Sequence, residues 1–178
     1  MSRYRRVIGS TFFFTVVAYR RREILCDERI RCALNQAIRL VASQRPFAID
    51  AWVLLPDHMH VIWTLPEGDH DFSTRWSEIK RFVSTNCGGA FHRPVMQTEA
   101  AVARRESTIW QRRFWEHRIR DEHDLEIHMD YVHFNPVRHG YVTRADQWPF
   151  STFHRYVSQG MYPVDWGGNA RVSGYDLE

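Results

Sequence analysis

The chain is almost without lysine. Lys80 is the only one among 24 basic side chains, and arginine supplies the rest. A formal net charge of +3 excludes a polycation that would bind nucleic acid by charge alone. Arginine forks, in contrast, grip phosphate and guanine edges bidentately and stack on bases. A GC-rich coding sequence produces the same bias, so the arginines support a nucleic-acid partner without defining one. Cysteine is scarce as well. Cys26, Cys32 and Cys87 are odd in number and only the first two lie close together, which argues against a disulfide framework or a cysteine-rich zinc site and fits a reducing cytoplasm. No apolar run approaches the ~20 residues needed to span a bilayer. The charged start MSRYRRVIGS is not followed by an apolar stretch and cleavage site, so no signal peptide is expected. A glycine-rich loop that could cradle phosphate is missing too.

What is present is an ordinary globular composition, 44% hydrophobic and 25% charged, in 178 residues that fit one domain. Thr11 to Ala18 (TFFFTVVA) reads as a buried strand. Asp27 is a candidate cap for a helix carrying Ile30, Ala33, Leu34, Ala37, Ile38 and Val41, stopped at Pro46. Phe47 to Leu55 and His58 to Leu65 read as a hairpin turning at Pro56-Asp57. Ser73 is expected to cap a second helix that ends near Gly88-Gly89. His92 to Ser107 reads as a loop with a helical turn, and Ile109 to Ile119 as a fourth strand. Asp121 opens a further helix, expected to end before Pro136. This order predicts an α+β fold: a ferredoxin-like split βαβ antiparallel sheet with an added helix and an aromatic-rich C-terminal extension. The core is placed at about 8–140 and the extension at about 141–178 of a single domain.

His58-Met59-His60, inside WVLLPDHMHVIWTL, stands out chemically. Side chains alternate along a strand, so the two imidazoles share one face, and neutral imidazole is the commonest protein ligand for divalent metals. Two histidines hydrogen-bonded on a partly polar sheet surface are the bland alternative, against which the apolar setting weighs. Downstream, Leu125, Met129 and Val132 form the core stripe of a helix. Tyr131 lies roughly 120° from the centre of that stripe, at the edge of the buried face, with Asn135 one turn further on. A metal pair and a positioned phenol suit phosphodiester cleavage, the phenol as nucleophile and the ion as charge neutraliser. Asn135 is the first candidate for a third ligand, with Glu116, His117 and Asp121 as competitors.

The motif resembles the HUH motif of single-tyrosine DNA nucleases. The runs PDHMHVIWTLP, DFSTRWSEIKRF, WQRRFWEHRIRDE, YVHFNPVRHGYV and WPFSTFHRYVSQGMYPVDWG together resemble the REP-associated tyrosine transposases of bacteria. The resemblance implies a divalent metal, Mg²⁺ or Mn²⁺, on His58 and His60, and a nucleophile that maps to Tyr131 on the last core helix. Insertion-sequence relatives often carry glutamine where this chain has Asn135, a shorter side chain for a third ligand. It also implies a partner: single-stranded DNA whose palindromic repeats fold as hairpins, cut beside the hairpin to leave a 5′-phosphotyrosine and a free 3′-hydroxyl. Arg3, Arg5, Arg6, Arg112, Arg113, Trp148, Phe150, His154 and Arg155 are candidate DNA-binding residues, with a hydrophobic lid as the alternative role for Trp148 and Phe150. The expected setting is the bacterial cytoplasm near the nucleoid, as a monomer or homodimer. Two other readings are open: a non-catalytic RRM-like binding module, which needs exposed aromatics on the sheet, and a hydrolase that activates water on its metal.

Overall fold

Three consecutive phenylalanines divide the molecule. Along β1 (Ser10–Val17) successive side chains point to opposite faces, so Phe12 and Phe14 enter one core and Phe13 another. The computed structural model describes residues 10–167, which leaves Arg3, Arg5 and Arg6 outside the described residues. β1 pairs antiparallel with β3 (His58–Leu65) at the centre of a four-stranded sheet. β2 (Ala48–Leu54) lies beyond β3, and β4 (Trp115–Arg118) on the other side of β1. This is the strand order expected for the ferredoxin-like fold.

The Phe12/Phe14 face is covered by α1 (Glu28–Gln44) and α2 (Phe72–Phe91). Asp27 caps α1 as expected, its carboxylate accepting the Arg29 N–H at 2.9 Å. Trp63 from β3 and Trp76 from α2 stack at 4.1 Å in the middle of this core, two large buried rings worth about 3 kcal/mol or more each. A short α3 (Glu99–Ala103) fills the stretch read as a loop with a helical turn. The Phe13 face is covered by α4 (Glu122–Arg138) and the C-terminal segment. All three phenylalanines are buried, so the exposed aromatics that an RRM-like module needs on its sheet are not offered by β1.

Three elements have bounds that differ from expectation, each for a local reason. Strand four is shorter than Ile109 to Ile119: Trp110 bridges Ala18 and Trp115 pairs with Thr15, so residues 111–114 oppose only Val16 and Val17. That bulge turns Phe114 into the α1/α2 core and leaves Arg112 and Arg113 exposed. Helix α2 begins at Phe72, because Asp71 rather than Ser73 accepts the Thr74 N–H. It runs through Gly88-Gly89 to Phe91, since Cys87 and Phe91 are both buried and reward the extra turn. Helix α4 does not stop before Pro136 but continues to Arg138. A proline forfeits one backbone bond. Here Pro136 is buried, the next turn is kept by the His139 N–H on the Asn135 carbonyl, and Gly140 ends the helix at a φ of 72°.

The extension wraps the sheet as expected. Leu54 N–H donates to Phe150 O and Thr152 N–H to Trp52 O, so residues 150–152 cover the outer edge of β2. α5 (Phe153–Ser158) then packs its Phe153 against α4. His133 of α4 staples this segment in place, with Nε2 2.9 Å from Thr152 Oγ1 and Nδ1 3.3 Å from Tyr162 Oη. Burial, helped by the charge of Arg155, pushes the His133 imidazole down from 6.5 to about 3. Between those values the unfolded chain holds a proton that the folded one does not, so this contribution is full above about pH 6.5 and is lost as pH falls towards 3. His133→Gln is therefore expected to flatten the rise of stability with pH across that window, measured by urea unfolding at a series of pH values.

Candidate active site

β3 places His58 and His60 on the face covered by α4, and each is held from behind. His58 Nδ1 donates to Asp57 Oδ1 at 2.6 Å, so its Nε2 is left with the lone pair. Among the described residues that Nε2 is buried with no hydrogen-bond partner. His60 Nδ1 lies 2.9 Å from Thr15 Oγ1 on the neighbouring strand. The two rings stand 4.8 Å apart. Burial, followed by the charges of His58, His139, Arg138 and Arg21, holds the His60 pKa well below the usual histidine value, which keeps it neutral.

Asp57 is itself held in place. Arg21 Nη1 donates to Asp57 Oδ2 at 3.0 Å, from a turn in which Arg20 and Arg21 adopt φ values of 52° and 51°. Such left-handed backbone costs on the order of 1–3 kcal/mol per non-glycine residue. It is pinned by the Ala18 N–H on Asp57 O and the Leu25 N–H on Pro56 O. Burial pushes the Asp57 carboxyl up, but its bonds to His58 and Arg21 outweigh that and leave it below the ordinary range. The charged carboxylate therefore fixes the His58 ring.

Tyr131 faces this pair from α4, its ring 5.0 Å from that of His60 and 5.8 Å from Phe13. It was expected at the edge of the buried face, yet it is only 2% exposed. The Phe13 and His60 rings of the sheet and the Arg138 guanidinium above its ring cover it, so the buried arc of the helix is wider than its aliphatic stripe. Asn135 is fully buried, and among the described residues neither its amide nitrogen nor its oxygen has a hydrogen-bond partner. A buried, unsatisfied amide one turn from the tyrosine fits a ligand role. The competitors are placed elsewhere: Glu116 pairs with Phe14 on the opposite face, Asp121 caps α4, and His117 binds Asp124 at 2.9 Å. His117, Asp124 and His128 bring ligand atoms within 4.8 Å of one another, a second group with metal-binding chemistry.

Two site residues are hidden in the sequence. Arg138 lies over the Tyr131 ring at 5.4 Å, and the His139 ring is 5.1 Å from His58. Both are exposed at the mouth of the site. Their positions seven and eight residues beyond Tyr131 put them on its helical face. That signal is lost once Pro136 is taken as the helix end.

The remaining candidates divide. Trp148 donates its indole N–H to Leu54 O, Phe150 lies under the Arg31 guanidinium at 4.5 Å, and Arg155 donates to Asp50 O. These interactions are those of a lid that holds the extension down. His154 is exposed, its Nε2 2.9 Å from Trp148 O. Arg112 lines an open groove of about 1010 Å³ on the α2 side, together with Lys80, Arg81, Arg105, Ser84 and Trp110. Lys80 donates to Gln111 O at 3.0 Å, and burial lowers its amine to about 8.

The fold is thus a ferredoxin-like sheet whose paired histidines on β3 face a tyrosine on α4. No protein-family model matches the chain. A REP-associated tyrosine transposase of Escherichia coli K12 is 48% identical over 171 residues, covering 95% of this chain and 93% of the relative. A relative from Haemophilus influenzae that bears the same family name is 41% identical over 175 residues, with 95% of each chain covered. The solved structure of a REP-associated tyrosine transposase bound to a REP hairpin aligns with a TM-score of 0.76 and 46% identity, over 99% of this chain and 96% of that one. The chain belongs to the REP-associated tyrosine transposase family. Among the described residues no helix is long and apolar enough to cross a membrane.

The orientation of His58 has a direct check. Long-range ¹H–¹⁵N imidazole spectra should show it as the Nδ1–H tautomer, and Asp57→Ala should shift it towards Nε2–H. An Nε2–H tautomer in the unaltered protein would contradict the hydrogen bond to Asp57.

Proposed function

We propose that this protein binds hairpin-forming palindromic repeats in single-stranded DNA and cleaves beside them, with Tyr131 as nucleophile. The observation that carries this reading is the 5.0 Å approach of the Tyr131 ring to His60, beside His58. A relative 46% identical to this chain binds a REP hairpin, which supports the substrate class. His58 and His60, with Asn135 as third ligand, would hold Mg²⁺ or Mn²⁺; the lone pair at His58 Nε2 and the unsatisfied Asn135 amide fit such an ion. When bound, the ion would neutralise charge on the scissile phosphate.

The Tyr131 oxygen would form a bond to phosphorus as the bond to the 3′-oxygen breaks. The proton given up by the phenol balances the one gained by the departing 3′-hydroxyl. The phosphotyrosine keeps the energy of the broken ester, so the reverse attack rejoins DNA without ATP. Arg138 at the mouth supplies positive charge for the incoming phosphate. With its ring 2% exposed, Tyr131 meets DNA after the side chains above it shift. The groove of Lys80, Arg81, Arg105 and Arg112 would track the nucleic-acid backbone.

Tyr131→Phe should abolish cleavage of a hairpin oligonucleotide and the denaturant-resistant protein–DNA band, while binding by gel shift survives. Cleavage by that variant would sink the nucleophile assignment. Cleavage without any covalent band would favour a hydrolase that activates water. Lys80→Ala with Arg81→Ala and Arg105→Ala should weaken binding and reduce the slope of log K against log salt by about 0.7–0.9 for each phosphate no longer neutralised. An unchanged slope would remove the groove from the DNA path.

A further inference from the structure

We propose that His117, Asp124 and His128 form a second metal site, suited to a transition-metal ion of the zinc class, which clamps the edge strand β4 to the helix carrying Tyr131. Two imidazoles and one carboxylate are the donor set of many such sites, leaving one position for water. His117 Nε2 and Asp124 Oδ2 are 2.9 Å apart. Metal–ligand bonds of ~2.0–2.1 Å place neighbouring tetrahedral ligands about 3.3 Å apart. One ring nitrogen of each histidine and one Asp124 oxygen lie within 4.8 Å of one another, so an ion is reached by a short movement of the side chains. His117 is the partly exposed member and can make that movement, whereas Asp124 and His128 are buried.

A second observation points to a ligand. His128 Nδ1 lies 2.7 Å from the Asp124 backbone oxygen, which makes it the protonated nitrogen, and among the described residues its buried Nε2 has no hydrogen-bond partner. A histidine held at one nitrogen by a carbonyl, with its other lone pair unused, is the common state of a metal-ligating imidazole. The His117 and His128 rings are already stacked at 4.6 Å. Asp124 also accepts from the Arg120 N–H and Nε, both at 3.0 Å. The Arg120 side chain is 73% exposed and can swing out, so an ion would replace its charge on the carboxylate.

This group is distinct from the His58/His60 pair. β1 runs between them, and its Phe13 ring packs on His60 at 5.5 Å and on His128 at 4.9 Å. β4 is only four residues long, and Tyr131 lies three residues after His128. An ion here would fix the edge strand and the first half of α4 together. Its role is structural, a brace behind the helix that presents the tyrosine.

The test compares the full chain with its His117→Ala variant. Zn²⁺ titration by calorimetry should show one fewer ion per chain in the variant, and Zn²⁺ should raise the Tm of the unaltered chain by about 5 °C or more beyond that of the variant. In a His58→Ala/His60→Ala background, Co²⁺ should still give visible d–d absorption, which disappears on adding His117→Ala. Equal stoichiometry and equal Tm shifts with and without His117 would overturn the proposal, leaving the cluster an ion-pair network around Asp124. Disappearance of the Co²⁺ absorption through the His58/His60 changes alone would overturn it too, by assigning the ion to that pair.

Discussion

The register between β1 and β3 is the constraint on which the site depends. Thr15 opposes His60 and Phe13 opposes Ile62, so the two histidines look towards α4 with a threonine hydroxyl within reach of one of them. A slip of one residue would turn both imidazoles into the tryptophan-rich core on the other side and leave Tyr131 facing aliphatic side chains. The register is held by hydrophobic demand on both faces. Trp63 and Phe14 belong with α2, and Ile62 and Phe13 with α4. A sheet buried on both sides has no tolerant register, so the strand itself commits both imidazoles to the α4 face.

The polar groups are then tuned from a distance. The turn at Arg20 and Arg21 is strained, and it holds the guanidinium that fixes Asp57, which fixes His58. His60 is kept neutral by burial, so it is ready to be a donor. The C-terminal segment contributes indirectly. By covering the His133 flank of α4 it buries that helix on more than its aliphatic stripe.

Much of this is legible in the chain. Alternation in TFFFTVVA and HMHVIWTL locates both central strands, and the order of elements is enough for the sheet topology, since few topologies accommodate it. The HMH spacing identifies the paired imidazoles because a strand has a fixed period of two. The failures share one cause: local rules do not hold where tertiary burial decides. Pro136 reads as a stop, but a buried helix tolerates the absence of one hydrogen bond, and the extra turn carries Arg138 and His139 to the site. Gly88-Gly89 reads as a cap, but the burial of Phe91 carries α2 past it. The bulge at 111–114 is invisible, since an apolar-polar pattern does not count how many residues oppose a partner strand.

Burial of the tyrosine has a mechanistic consequence. A phenol this enclosed is shielded from solvent, so water competes poorly for the reacting centre and a phosphotyrosine formed there would be protected from hydrolysis until a 3′-hydroxyl returns. For the proposed attack the same enclosure would require motion first, and the exposed groups that can yield are those at the end of α4, after Pro136. A proline near a helix end leaves the last turn with one bond fewer than the turns before it. The residue that obscures the helix in the sequence therefore weakens the helix where DNA would have to enter.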